Sequence, residues 1–433
     1  MTESLSAAEW EARLLAEIEA TSGELLELAC RLIQIPSENP SGDCTEVAGF
    51  IAGWLRERGL DCEVLDAGAG RLNIVAHQRP GQAGGSQRHL VLAGHHDVVP
   101  VGDVSRWSFP PFAGDIVDGY LRGRGASDMK AGLAGVIHSY VLMHRLGVPL
   151  QGTLSLASVS DEETGGPLGA DWLLNRDDLA GATSAVIAEP SERSHPTIGQ
   201  KGSNWFRLII SGQPGHGSLQ PMHGVSANLL AAKAILALQG LWEMVPDAPE
   251  EVRQLIADSK HHAETREGYQ PGVSRAFDHV TINIGTIHGG SSTNVVADRA
   301  VVDIDTRVPI GLSREQVRQR VDELLAEAGV PAEIEPLGFR SEPNWTLPTE
   351  PIVEDLVGVL RELVDPEASG VLQWASSDAR TFRSHGIPVL QYGPAELSTI
   401  HGFDERSKVS DIINAAKVYA LTTVRYLGVQ ADD

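Results

Sequence analysis

The sequence predicts an α/β protein in which a layered mixed sheet, covered by helices on both faces, is interrupted by a small inserted α+β module. Three observations carry this prediction. Short apolar runs alternate with helical stretches near both ends of the chain, as strands buried on both faces do. The middle of the chain follows the order β-α-β-β-α-β, which is the ferredoxin-like split unit. Acids and histidines also stand where four of the apolar runs end.

Taken in order, Leu14, Leu15, Ile18, Leu25, Leu26, Leu28 and Ile33 recur at helical spacing and predict one amphipathic helix that Pro36 stops. A second helix covers about residues 45–59. LNIVAH, HLVLAG, GTLSLASVS and ATSAVIAE read as strands, and AGLAGVIHSYVLMHRLG as a helix closed by Gly147 and Pro149. From about residue 200 the style changes. NWFRLIISGQ, HVTINIGTIHGG, VVADRAVVDIDTRV and PAEIEPL are predicted strands, and VSANLLAAKAILALQ and SREQVRQRVDELLAEAG are predicted helices. The first style then returns with TEPIVEDLVGVLRELV as a helix, IPVLQYG as a strand and a terminal helix. These shifts divide the chain into a domain split between 1–198 and 342–433 and a module inserted at 199–341. Residues 242–278 read as polar and irregular.

Composition limits the function classes. With 433 residues, two or three domains are expected, and 42% apolar with 21% charged residues is ordinary for a globular chain. Lys and Arg number 34 against 58 Asp and Glu, a formal charge of −24. Such a surface repels phosphate backbones and anionic lipid, so neither nucleic acid nor membrane is an expected partner. Cys30, Cys44 and Cys62 form no disulfide framework and no CxxC zinc knuckle. The first twenty residues are acidic and lack an apolar core, and no run approaches the ~18–20 apolar residues of a membrane helix. A cytoplasmic protein is expected.

Where the acids and histidines fall is the informative feature. HLVLAG runs into His95-His96-Asp97, GTLSLASVS into Asp161-Glu162-Glu163, and ATSAVIA into Glu189, while IPVLQYGP leads by a short loop to His401. Open α/β sheets bind ligands beyond the carboxyl ends of their strands. Asp97, Asp128, Glu162, Glu163 and Glu189 converging there would repel one another or hold protons. Two divalent cations remove the difficulty, and a histidine–carboxylate donor set without cysteine suits zinc. In His95-x-Asp97, alternate residues of an extended chain face one side, so Asp97 can take the second ring N–H of His95. Adjacent Glu162 and Glu163 point differently, so one can bind metal while its neighbour handles protons. GRGASDMKAG has the opening glycines of a phosphate loop, but Asp128 stands in place of the third glycine and no βαβ fingerprint precedes it, so the segment is not a nucleotide-binding loop.

AGHHDVVP, GRGASDMKAG, SDEETGG, AEPS and the late His401 together resemble the cocatalytic zinc amidohydrolases and metallopeptidases, the family of acetylornithine deacetylase, succinyl-diaminopimelate desuccinylase, aminoacylase and carboxypeptidase G. The resemblance spans nearly the whole chain. It implies a zinc-peptidase-like catalytic domain at 1–198 and 342–433 and a lid or dimerisation domain at 199–341. It also implies two divalent metal ions per subunit, zinc first and cobalt as an alternative. His95 and Glu189 would hold one ion and Glu163 with His401 the other, bridged by Asp128. Asp97 would orient His95, and Glu162 would be the general base. A cis peptide is implied between Asp128 and Met129. His216, in SGQPGHGS, would stabilise the oxyanion, from the partner subunit in dimeric relatives. Asn294 and Arg307 match substrate-contacting positions, with Lys201 and Arg380 as further candidates. His96 departs from the family, where many members carry a small or hydroxyl residue.

The implied activity is hydrolysis of the amide bond of an N-acyl amino acid by metal-activated water, with a small-molecule substrate and a homodimeric enzyme. The alternatives are a dipeptidase or carboxypeptidase of the same family, or a non-catalytic metal-binding scaffold, against which Glu162 counts. Single residues also have plainer readings. His216 and Asn294 suit ordinary turns. Arg307 has Asp303 and Asp305 as possible ion-pair partners, Arg380 has Asp378, Lys201 suits a strand edge, and His96 could simply face solvent.

Overall fold

The computed structural model describes residues 5–80, 86–265 and 270–430. The chain divides into two compact units. One comprises Met1–Ile198, Thr346–Gly370 and Ser377–Asp433; the other comprises Gly199–Trp345 with Val371–Ser376. Among the described residues no helix is long and apolar enough to cross a membrane.

The first unit is built on a mixed sheet with four parallel strands at its centre. Their order is Thr153–Val159, His89–His95, Ser184–Ile187 and Val389–Gln391. These are the four strands whose sequences run on into acids and histidines, so the candidate ligands gather at one edge of the sheet. Leu72–Gln78 extends the sheet antiparallel to Thr153–Val159, and Glu63–Asp66 pairs beyond it. The strand His89–His95 is buried at every position, as its unbroken apolar run requires.

Helix Lys130–Leu146 is buried from Lys130 to Met143 and ends at Gly147, whose φ of 64° is the left-handed closure the sequence predicts. A glycine is needed at 132, because a Cβ there would lie 2.2 Å from the carbonyl oxygen of Ala188. The buried Lys130 ammonium donates to the Leu32 and Ile35 carbonyls at 2.9 and 2.7 Å, and burial lowers its pKa to about 7.

The predicted single N-terminal helix is two, Ala7–Ala20 and Ser22–Gln34. The break is at Thr21, with φ −106° and ψ 13°. Its hydroxyl donates to the Glu17 carbonyl at 2.7 Å and meets His138 Nε2 at 3.0 Å. Apolar spacing carries across such a break, because both helices bury the same stripe.

The second unit is a four-stranded antiparallel sheet in the order Thr281–Gly289, Arg299–Val308, Gly202–Ser211, Glu333–Ser341. Helices Ala227–Leu238 and Arg314–Glu327 complete the split β-α-β-β-α-β unit. Along Arg299–Val308 burial alternates strictly, and Ala300, Val302, Ile304 and Val308 join Phe206, Leu208, Ala234, Val317 and Val321 in one core. Two expectations are corrected here. The segment read as irregular contains helix Glu250–Thr265, whose Val252, Leu255, Ser259 and Ala263 form a buried stripe with only two large apolar residues; residues 266–269 of that segment lie outside the described residues. Val371–Ser376, assigned by sequence to the first domain, belongs to the second unit: Leu372 N–H donates to Ser259 Oγ at 2.9 Å, and Lys201 N–H donates to the Gln373 carbonyl at 3.3 Å.

Candidate metal centre

Asp128, in the turn before helix Lys130–Leu146, presents its two oxygens in different directions. Oδ1 lies 3.0 Å from His95 Nε2 and Oδ2 lies 3.2 Å from His401 Nε2. His95 Nε2 is also 3.8 Å from Glu189 Oε1, and His401 Nε2 is 3.2 Å from Glu163 Oε2. One carboxylate therefore stands between two histidine–glutamate pairs. The ligand atoms of His95, Asp128 and Glu163 lie within 4.8 Å of one another, as do those of His95, Glu162 and Glu189. All five expected metal ligands and the expected base thus share one site in the first unit.

Asp97 organises that site. Its backbone carbonyl accepts from His95 Nδ1 at 2.9 Å, with its carboxylate Oδ1 at 3.5 Å, so the main chain shares the orienting role expected of the side chain alone. The carboxylate also accepts the backbone N–H groups of Glu162 and Glu163, at 3.3 and 3.2 Å. Glu163 Oε1 is held by the Val99 N–H at 3.2 Å, which leaves Oε2 toward His401. Asp161 and His401 both hold left-handed backbone, φ 74° and 58°, at the ends of the loops that deliver these ligands. The Asp128–Met129 peptide is cis.

Charge at the centre calls for cations. Burial disfavours the imidazolium of His95, yet Asp128 and Asp97 outweigh it and hold its pKa well above the usual value. Hydrogen bonds to Asp128 and Glu163 raise His401 to about 11. Burial raises Glu189 to about 8 and pushes Glu162 and Glu163 upward as well. Glu189 Oε1 is buried without a hydrogen-bond partner. Protons stand where divalent cations would replace them, and the two-histidine, three-carboxylate donor set fits two metal ions.

Sequence reasoning missed two supports of the centre. Glu405, fully buried, accepts the N–H groups of Gly125, Ser127 and Asp128. Asn39 touches Asp97 directly. Neither lies in a motif with recognisable ligand spacing. His96 does not face solvent: it is buried, its Nδ1 meets Ser158 Oγ at 2.8 Å, and burial lowers its pKa to about 3.

Arg380 lies in the first unit, where Nη2 donates to the Gly165 carbonyl and stands 3.8 Å from Asp378 Oδ1. His216, Asn294, Arg307 and Lys201 lie in the second unit. There His216 and Asn294 are brought together: the Gly217 N–H donates to the Asn294 carbonyl at 2.8 Å, and both side chains are exposed beside a cavity of about 500 Å³ lined by Gln220, Asn228 and Thr293. Arg307 Nη2 donates to Asp305 Oδ2 at 3.0 Å. Lys201 is buried, and its ammonium donates to the Ala276 and His279 carbonyls and to Thr281 Oγ1 at 2.7, 2.8 and 3.1 Å. Its three donors are committed to the fold, which makes it an anchor of the 276–281 turn and not the strand-edge lysine of the plainer reading.

Residues 91–425 match the family model for peptidase family M20/M25/M40. The chain belongs to this family. It is 30% identical over 348 residues to a succinyl-diaminopimelate desuccinylase from Bradyrhizobium sp. ORS 278, covering 78% of this chain and 83% of that one. It is 26% identical over 431 residues to the N-formyl-4-amino-5-aminomethyl-2-methylpyrimidine deformylase of Halalkalibacterium halodurans, covering 93% and 94%. Its fold matches the M20 family metallo-carboxypeptidase Sso-CP2 from Sulfolobus solfataricus with a TM-score of 0.76 at 20% identity, over 93% of this chain and 99% of that one. The M20 chain is a metal-dependent hydrolase acting on amide bonds, and the converged donor set is its candidate metal site.

Proposed function

We propose that this M20 enzyme hydrolyses the amide of an N-acyl amino acid, with two divalent metal ions, zinc first and cobalt as an alternative, held by His95, Asp128, Glu163, Glu189 and His401. The observation that carries this reading is the Asp128 carboxylate, which offers one oxygen to each histidine with Glu162 alongside. The bound ions would supply an acidified water and a polarised amide carbonyl. Glu162 takes the water's proton and passes it to the leaving amine, a role suited to a carboxyl whose pKa burial and the neighbouring Glu189 raise well above the usual carboxylate value. Asp97 holds Glu162 and His95 in register through the contacts described above.

His216 is assigned to the developing oxyanion and Asn294 to the substrate, supported by their adjacent exposed positions. Arg307 and Arg380 are assigned to the substrate carboxylate, which a guanidinium fork matches; this requires Arg307 to share or exchange Asp305. The expectation that Lys201 touches substrate is replaced by its anchoring role. A homodimer through the second unit is supported by the exposed edge strand Thr281–Gly289 and by exposed Ile287, Leu229 and Leu236.

The test is amine release from N-succinyl, N-acetyl and N-formyl amino acids and from dipeptides, with zinc or cobalt added and the Glu162→Gln variant in parallel. Turnover of one acyl class, reduced about 10²–10⁴-fold in a variant that retains its metal, is the expected result. Cleavage confined to dipeptides would make the enzyme a peptidase. No turnover by fully metallated protein would defeat the deacylase reading. Light scattering in solution measures the dimer directly.

A further inference from the structure

We propose that Asn39, backed by Arg71, is a positioning residue for the metal centre: its carboxamide joins Asp97 to the loop that carries Glu162 and Glu163. The proposal rests on the site assignment above, and its first readout needs no substrate.

Asn39 is 1% exposed and lies in the segment Ser37–Glu38–Asn39 that follows helix Ser22–Gln34. This segment is stitched alongside residues 96–98. Asn39 N–H donates to the Val98 carbonyl at 2.8 Å, Val98 N–H returns to Ser37 at 3.0 Å, and Ser37 Oγ donates to the His96 carbonyl at 2.6 Å. The backbone of Asn39 is therefore registered against the stretch that contains Asp97.

Its side chain reaches across. Nδ2 lies 2.9 Å from Asp97 Oδ2, 3.1 Å from Asp161 Oδ1 and 3.2 Å from Thr164 Oγ1. Asp161 in turn accepts from Thr164 Oγ1 at 2.7 Å and from the Leu168 N–H at 3.2 Å, which ties the 161–168 loop to itself. Asp97 and Asp161 are both buried carboxylates, and side by side they would repel; an amide with two N–H groups is the neutral donor that holds them together. Arg71 completes the arrangement. Its Nη2 donates to Asn39 Oδ1 at 3.3 Å, which fixes the amide with its NH₂ toward the acids, and its Nε stands 3.5 Å from Asp161 Oδ1. Nη1 is anchored on the Ser41 carbonyl at 2.7 Å.

Aspartate at this position has the same shape and no donor, so it sets three carboxylates against one another and releases Asp97 from the loop. Because Asp97 orients His95 and holds the Glu162 and Glu163 N–H groups, the loss should appear in metal affinity and in kcat, with KM little changed.

The experiment measures zinc affinity of metal-free wild-type, Asn39→Asp and Arg71→Gln proteins by competition with a chromophoric chelator, after circular dichroism confirms folding. Kinetics follow on whichever substrate the wild type turns over. The expected result is zinc affinity weaker by about 10- to 100-fold in N39D and by a smaller factor in R71Q. With it, kcat should fall in the same order and KM should stay within about threefold. Wild-type zinc affinity in a folded N39D protein overturns the proposal. Should N39D fail to fold, wild-type zinc affinity in R71Q overturns it equally. A wild type that binds zinc but cleaves nothing counts against the proposed activity and leaves the zinc comparison standing.

Discussion

The Glu405 carboxylate accepts the backbone N–H of Asp128 at 3.0 Å, so a residue 277 positions away in sequence holds the backbone of the carboxylate that stands between His95 and His401 in the candidate metal centre. The same carboxylate takes the Ser127 N–H at 2.8 Å and pairs with the buried Arg124 guanidinium. Glu405→Ala strips Arg124 of its counter-ion and frees the 124–128 turn. Removing one partner of a buried pair costs about 3–5 kcal/mol, so a urea titration should show at least that loss. An unfolding midpoint equal to wild type would show that the turn is held by other means.

Metal binding should release protons. His95 and His401 carry raised pKa values, the latter about 11, and Glu189 about 8, so at pH 7 the metal-free site holds protons that the ligand forms must give up. Zinc affinity should therefore strengthen as pH rises from 6 to 8. Calorimetric titration in buffers of different ionisation enthalpy measures the protons released per ion. A heat independent of buffer would contradict the protonated, metal-free site.

His138 sets an acid limit to stability. It is buried, and burial lowers its pKa to about 4. The Thr21 hydroxyl spends its one proton on the Glu17 carbonyl, so His138 Nε2 is the donor of their 3.0 Å contact, and the lowered pKa keeps the ring neutral at pH 7. The unfolded chain takes up this proton near pH 6.5 and the folded chain only near pH 4. Its contribution is therefore complete above pH 6.5 and is lost on acidification toward pH 4, on the order of 3 kcal/mol. A His138→Gln variant should lose less stability than wild type over that window, measured as the difference between denaturation midpoints at pH 7 and pH 4.5.

Gly132→Ala tests the closeness of helix Lys130–Leu146 to the sheet. The added Cβ would stand 2.2 Å from the Ala188 carbonyl oxygen, immediately before Glu189. Backbone has to move, at a cost of about 1–3 kcal/mol or more, as in overpacked cores, and the movement displaces Glu189, a candidate metal ligand. A lowered melting temperature together with weakened zinc retention on dialysis is expected. Loss of stability with zinc retention unchanged would mean that Glu189 is insulated from the helix.

Much of this molecule is written in local pattern. Strand His89–His95 is a continuous apolar run ending in histidine because both its faces are covered, and Gly147 closes its helix because only glycine enters left-handed backbone without strain. Arg299–Val308 shows the period-two alternation of a strand with one covered face. Four of the candidate metal ligands were legible for the same reason, since His95 ends a strand, Glu163 and Glu189 stand just beyond strands and Asp128 just before a helix, while His401 lies in a loop ten residues past its strand. Period alone could not show the break at Thr21, where one stripe continues through two helices, nor helix Glu250–Thr265, whose apolar stripe is too thin to stand out.

What the tertiary structure alone decided is how those ligands are held. Asn39 and Glu405 are polar residues in unremarkable loops, and only the folded chain brings their side chains to Asp97 and Asp128. Lys201, in sequence a substrate-binding candidate or a strand-edge lysine, is spent on three acceptors from a turn some 75 residues later. The sequence by itself determined the strands, the order of the ligands and hence the family, because these depend on residue type and short-range period. The partners of buried donors and acceptors were decided in three dimensions, because a hydrogen bond is set by distance in space and leaves no periodic trace along the chain.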